Sequence, residues 1–196
     1  MKRETQRDLT HKRILTTATK LFLNRGYNLT STRDIAVEIG ITQPALYHHF
    51  ADKEALFLEV MNDYGQQVRE RLQQIASEND PALLTQFEKV TDLMLEMHPQ
   101  SIYSIYLEAR DQLSLSAQRK LDLAMTVNYL RPLAVFFERA GSQLRPDVRP
   151  QEAAEIYLSM MTPFYGTVHL LGGNAVSSAQ RKTILLDVLI NGMKQR

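Results

Sequence analysis

The side chains best placed to do chemistry lie between Thr42 and Lys53, in the run T-Q-P-A-L-Y-H-H-F-A-D-K. The amide of Gln43 can pair bidentately with the edge of an adenine, and Pro44 or Ala45 can touch a thymine methyl. That is recognition chemistry, not bond breaking. His48 and His49 are sequence neighbours that point in different directions on a helix, so they lack the i, i+4 face of a paired metal site. No G-x-S-x-G, phosphate-cradling glycine loop or H-E-x-x-H occurs. With no cysteine at all, thiol nucleophiles, thiolate metal sites and disulfides are absent as well. The expectation is a protein that is not an enzyme and takes no metal or cofactor.

Recognition by a short helix requires a rigid stage, and the residues before Thr42 supply one. Ser31 followed three residues later by Asp34 makes a capping-box-like start, with Asp in place of the usual Glu or Gln. A helix from Thr32 then buries Ile35, Ala36 and Ile39. Gly40 accepts the left-handed conformation that ends a helix, and Ile41 folds back as a plug. Thr42 caps the next helix, where Pro44 is tolerated because first-turn N–H groups have no intrahelical partner. Two helices joined by a short glycine-containing turn form a helix-turn-helix, whose second helix enters the DNA major groove. Thr42, Gln43, Pro44 and Ala45 fall at its N-terminal end, where base contacts are made.

Gly26-Tyr27, Thr30-Ser31-Thr32-Arg33-Asp34-Ile35-Ala36, Gly40-Ile41-Thr42, Leu46-Tyr47-His48-His49-Phe50 and Lys53-Glu54-Ala55-Leu56 follow one another in that order. This string resembles the N-terminal domain of the TetR family of bacterial transcriptional regulators. The likeness covers about residues 9 to 60; beyond them it is one of helical layout and length. Ala51 departs from the many members that carry Lys, Arg or Gly there, which removes one phosphate contact. The resemblance implies a double-stranded DNA operator as partner and Tyr47 and His48 as phosphate contacts. Arg33 and Lys53 are placed to meet the backbone from neighbouring helix ends, and Thr32 joins the same set. Two other readings stay open: Tyr47 as an aromatic at the edge of the core, and Lys53 as a solvated lysine.

Charge fits a polyanion at one end. Residues 1 to 53 hold nine bases against five acids, a balance of +4, and the remainder carries −3 of the +1 total. A basic head on a mildly acidic body is the footprint of nucleic-acid contact, although charge alone also describes a solvated face. The charged N-terminus lacks the apolar core of a signal peptide. Residues 156 to 173 carry no Asp, Glu, Lys or Arg, but Ser159, Thr162, Pro163, Gly166 and His169 make them a poor membrane span. A cytoplasmic protein with no membrane partner is expected.

Helical periodicity accounts for the rest of the chain. Residues 1 to 8 read as a loose arm and the first helix runs from Leu9 to Gly26. Phe22, Ile35, Ile39, Leu46 and Phe50 form the small core of the head, with Tyr27 at its edge. Asp52 caps a helix whose apolar stripe runs from Leu56 to Ile75, about 35 Å long. Further helices follow, with kinks expected at Pro132 and Pro163. The fold class is all-α with about nine helices. Residues 1–53 form the helix-turn-helix DNA-binding domain and residues 54–196 a helical effector-binding and dimerisation domain.

In that second domain Met61, Tyr64, Met94, Tyr103 and Tyr106 are candidates to line an adaptable apolar pocket, with Met125, Tyr129, Met160 and Phe164. Arg110, Asp111 and His169 are the polar groups able to orient a ligand. Plain core packing is the other reading of each. The last two helices are apolar on more than one face, which predicts a homodimer through Leu158, Tyr165, Leu185 and Leu189. The expected function is that of a dimeric repressor on a palindromic operator, released by a small hydrophobic effector. The alternative is a constitutive architectural or partner-binding helical protein with no effector.

Overall fold

The computed structural model describes residues 2–78, 82–141, 145–165 and 177–193. Every regular element among them is helical: α1 (Lys2–Arg25), α2 (Thr32–Ile39), α3 (Gln43–Tyr47), α4 (Lys53–Ser77), α5 (Leu83–Met97) and α6 (Ile102–Arg110). Then come α7 (Leu115–Met125), a π-helical turn (Thr126–Leu130), α8 (Arg131–Ala140), α9 (Pro150–Met160), a 3-10 turn (Thr162–Phe164) and α10 (Ser178–Met193). The all-α expectation holds. None of these helices is long and apolar enough to cross a membrane.

The chain forms two compact units, residues 1–66 with 105–125 and residues 67–104 with 126–196. This differs from a division at residue 53, because the start of α4 and the α6–α7 segment pack with the head. In the first unit Phe57 of α4 meets Phe22 edge-on at 5.0 Å and Tyr27 at 4.9 Å. Glu54 accepts hydrogen bonds from the N–H and hydroxyl of Ser114 at 2.8 and 2.7 Å. Glu108 accepts the N–H of Asn28 at 2.8 Å. Phe22, Ile35, Leu46 and Phe50 are buried as expected, and so is Tyr27, since Phe57 closes over it. Ile39 is only half-buried. The first helix begins at Lys2, so the expected loose arm is already helical.

The second unit is built on an aromatic cluster in which Phe87 lies 4.6 Å from Phe137, 5.0 Å from Tyr157 and 5.9 Å from Phe136. Each such side chain contributes about 1.5–3 kcal/mol by leaving water. Tyr157 satisfies its hydroxyl on Thr91 at 2.8 Å. His98 sits 3.0 Å from the Met94 carbonyl through Nδ1 and 3.1 Å from the Tyr129 hydroxyl through Nε2. Pro132 has no N–H for the carbonyl four residues back, and the chain answers with the π-helical turn immediately before it. At Pro163 α9 has already ended at Met160, and a 3-10 turn replaces the expected kink.

Candidate nucleic-acid interface

Local signals set the stage for α3. Ser31 Oγ accepts the Asp34 N–H at 3.1 Å while the Asp34 carboxylate accepts the Ser31 N–H at 3.1 Å, a complete capping box. Gly40 has φ +71° and open space around it, so its backbone conformation is what requires glycine there. The Ile41 N–H returns to the Ala36 carbonyl at 3.0 Å, and the Arg13 guanidinium donates to the Ile39 carbonyl at 2.9 Å. Arg13 therefore closes the end of α2 from α1, a role that no local pattern announces. Thr42 caps α3 by accepting the Ala45 N–H at 3.3 Å.

On this frame the side chains divide by exposure. Thr42, Pro44, Tyr47 and His48 face solvent, Gln43 and Ala45 are half-buried, and Arg33 on α2 is exposed. Thr32 is 5% exposed and cannot face DNA directly. Its hydroxyl lies 3.0 Å from the Tyr47 hydroxyl and accepts from Gln43 Nε2 at 3.0 Å; Nε2 is also 3.5 Å from Tyr47. Thr32 thus belongs to the set as a positioning residue that ties α2 to α3 and holds both outward-facing partners. Lys53 is half-buried, with its ammonium 4.0 Å from the centroid of the Tyr27 ring. Burial lowers its pKa, and the nearby Glu108 charge opposes that shift. Desolvation likewise holds the His49 pKa down, with the neighbouring His11, Arg7 and His48 charges acting in the same direction.

Comparison with known proteins places this face in a wider set. Residues 14–60 match the model for bacterial regulatory proteins of the tetR family. The match covers about a quarter of the chain, and over those residues it is similar to that family. The repressor KstR2 of Mycolicibacterium smegmatis is 38% identical over 82 residues, 42% of this chain and 38% of that one. The matching segments span 24% to 38% of the length of three such curated relatives. Across the whole length the likeness is one of fold. A TetR-family regulator from Agrobacterium tumefaciens superposes with a TM-score of 0.71 at 18% identity, covering 96% of this chain and 100% of that one. AibR in complex with isovaleryl coenzyme A and operator DNA has a TM-score of 0.64 at 23% identity, with 93% and 97% covered.

Outside α3 the chain distributes the expected pocket residues between both units. Met61, Tyr64, Tyr106, Arg110 and Met125 belong to the first, and Met94, Tyr103, Tyr129, Met160 and Phe164 to the second. Met61, Met94, Met125 and Tyr129 are buried, the others half-buried, and His169 lies outside the described residues. Arg110 is engaged within its own unit: its Nε is 3.0 Å from Asp122 Oδ1, which also accepts the Tyr106 hydroxyl at 2.8 Å. This hydrogen bond to Asp122 raises the guanidinium pKa. Asp122, twelve residues away, was not anticipated as a partner.

The expected dimer residues differ in burial within the chain. Leu158 is 0% exposed and Leu189 6%, because both serve the core of their own unit. Leu185 and Tyr165 are half-buried, and the Tyr165 hydroxyl donates to the Met94 carbonyl at 3.1 Å. The apolar side chains that α9 and α10 turn outward are Ile156, Ile184 and Val188, at 41%, 55% and 59% exposed. Their four-residue step from Ile184 to Val188 was the available signal.

Proposed function

We propose that this chain is a transcriptional repressor that binds a palindromic DNA operator as a homodimer and is released from it by a small hydrophobic effector. The reading rests on the outer face of α3, where Thr42, Pro44, Tyr47 and His48 stand exposed at the end of a capped helix and Gln43 is tethered beside them. A helix so presented fits the major groove with its N-terminal residues at base edges and its hydroxyl and imidazole groups toward phosphates. The +4 balance of residues 1–53 supports a polyanionic partner.

Support for an operator and an effector acting on one such fold comes from AibR, named in complex with both. In this chain the effector would contact apolar residues of the second unit such as Met94, Tyr129 and Met160, and α4 supplies residues to both units. The dimer would form through α9 and α10, whose outward Ile156, Ile184 and Val188 a second protomer would cover. The cytoplasm is the setting this function requires.

Selection of bound duplexes from a random pool tests the proposal. The expected winners are palindromes with half-sites one helical turn, about 34–36 Å, or a multiple of it apart. Recovery of sequences without two-fold symmetry, or no enrichment over the starting pool, would reject it.

A further inference from the structure

The second unit carries a groove of about 410 Å³ that no part of the DNA-facing site uses. One wall is the C-terminal end of α4, where Arg69, Gln73 and Ser77 recur every four residues and so share a face. The other wall is the π-helical turn with α8, where Val127, Arg131, Val135 and Arg139 also recur every four residues. Pro132 explains why there is room between them. The π turn before it sends Asn128 and Tyr129 into the core, each 1% exposed, and leaves Val127 and Arg131 to line the groove.

The groove's chemistry is two-sided. Ala76, Val127, Pro132 and Val135 give it apolar walls. Three guanidinium groups stand around it and no carboxylate lines it. Arg139 donates to the Ala76 carbonyl and so ties the two walls together at one end. Among the described residues neither Arg69 nor Arg131 has a carboxylate within salt-bridge distance, whereas Arg71 finds Glu96 at 3.7 Å and Lys182 finds Asp92 at 2.6 Å.

We infer that this groove is a binding site for a small anionic amphiphile, a molecule with a single carboxylate or similarly charged oxyacid head on an unbranched apolar chain. Arg69 and Arg131 would take the head, since guanidinium forks match planar oxyanions. The apolar walls would take the chain. The volume lies within the range of small-molecule sites, roughly 300–1,000 Å³. A neutral apolar ligand would leave the two arginines without a counter-charge, and a compact inorganic anion would leave the walls in water. The site does not depend on whether its ligand alters DNA binding.

Titration calorimetry on the full chain with decanoate, decanol and decyltrimethylammonium tests the inference without any DNA present. Decanoate should bind at least about ten-fold more tightly than decanol, and the cationic probe should not bind measurably. The double variant Arg69→Gln/Arg131→Gln should lose that ten-fold preference while keeping the wild-type melting temperature and its weak affinity for decanol. Val135→Trp, which fills the groove, should abolish binding of both decanoate and decanol. Equal affinity for decanoate and decanol would overturn the proposal, as would undiminished decanoate binding in either variant. Because every readout is ligand affinity, failure here leaves the operator reading intact, and failure of the operator selection leaves this site intact.

Discussion

Gln43 and Lys53 are both proposed nucleic-acid contacts, yet they stand in different environments and should fail differently. The Gln43 amide nitrogen is held by Thr32 and lies near Tyr47, which fixes the side chain where a base edge would meet it. Replacing it with alanine should cost about 1–3 kcal/mol at selected base pairs and little on non-specific DNA. Lys53→Ala should instead weaken all sequences alike and flatten the salt dependence by about one unit, a pattern readable from binding isotherms at several salt concentrations. Equal losses from both changes on specific and non-specific DNA would contradict these roles. His98 offers a test of a different kind, since burial pushes its pKa down to about 4. The unfolded chain takes up the same proton near pH 6.5, so protons favour unfolding. Stability should be unaffected by this group above pH 6.5 and fall by up to about 3 kcal/mol as pH drops toward 4. Denaturant unfolding across that window should show the decline in the wild type and a shallower one in His98→Gln.

The elements of the head are set by their ends, and two glycines separate the causes. Gly26 and Gly40 both have positive φ, but a Cβ on Gly40 meets nothing within 4 Å while one on Gly26 falls 2.6 Å from Glu108 Oε2. Gly40→Ala should therefore cost only the left-handed backbone, about 1 kcal/mol. Gly26→Ala carries that cost and also displaces the carboxylate that holds the Asn28 N–H, a charge-assisted bond worth about 1.5–3 kcal/mol. The difference between the two variants should shrink in a Glu108→Ala background, where no carboxylate remains to be moved. Thermal unfolding of the four proteins completes the cycle, and an undiminished difference would mean that Glu108 is not the neighbour that matters.

At the scale of the whole molecule, the proposed dimer can be tested at α9 and α10, which turn Ile156, Ile184 and Val188 outward. Ile184→Glu or Val188→Glu places a charge on an exposed position, so each protomer should keep its fold while the proposed dimer dissociates. Leu158→Glu places the same charge at a fully buried one and should unfold the second unit instead. Sedimentation velocity with circular dichroism distinguishes these outcomes. Folded monomers from the first pair, with operator affinity lost, would support the α9–α10 face. Unchanged dimers would remove it, and a wild-type chain that sediments as a monomer at micromolar concentration would remove the dimer altogether.

By itself the sequence determined the reading head and the succession of helices, because their signals act across three or four residues. Ser31 reaches Asp34, Gly40 closes on Ala36 and Val37, Thr42 reaches Ala45, and Pro150 opens α9, all within one turn. Only the tertiary structure decided that Thr32 holds Gln43 and Tyr47 from inside and that Arg13 caps a helix 26 residues away. It also decided that Leu158 turns inward while Ile156 turns outward, a choice hidden in helices apolar on several sides. The arginine groove belongs to the same class: its two walls are at least fifty residues apart in the chain. Contacts of that span depend on which faces meet, and helical periodicity fixes each face without naming its partner.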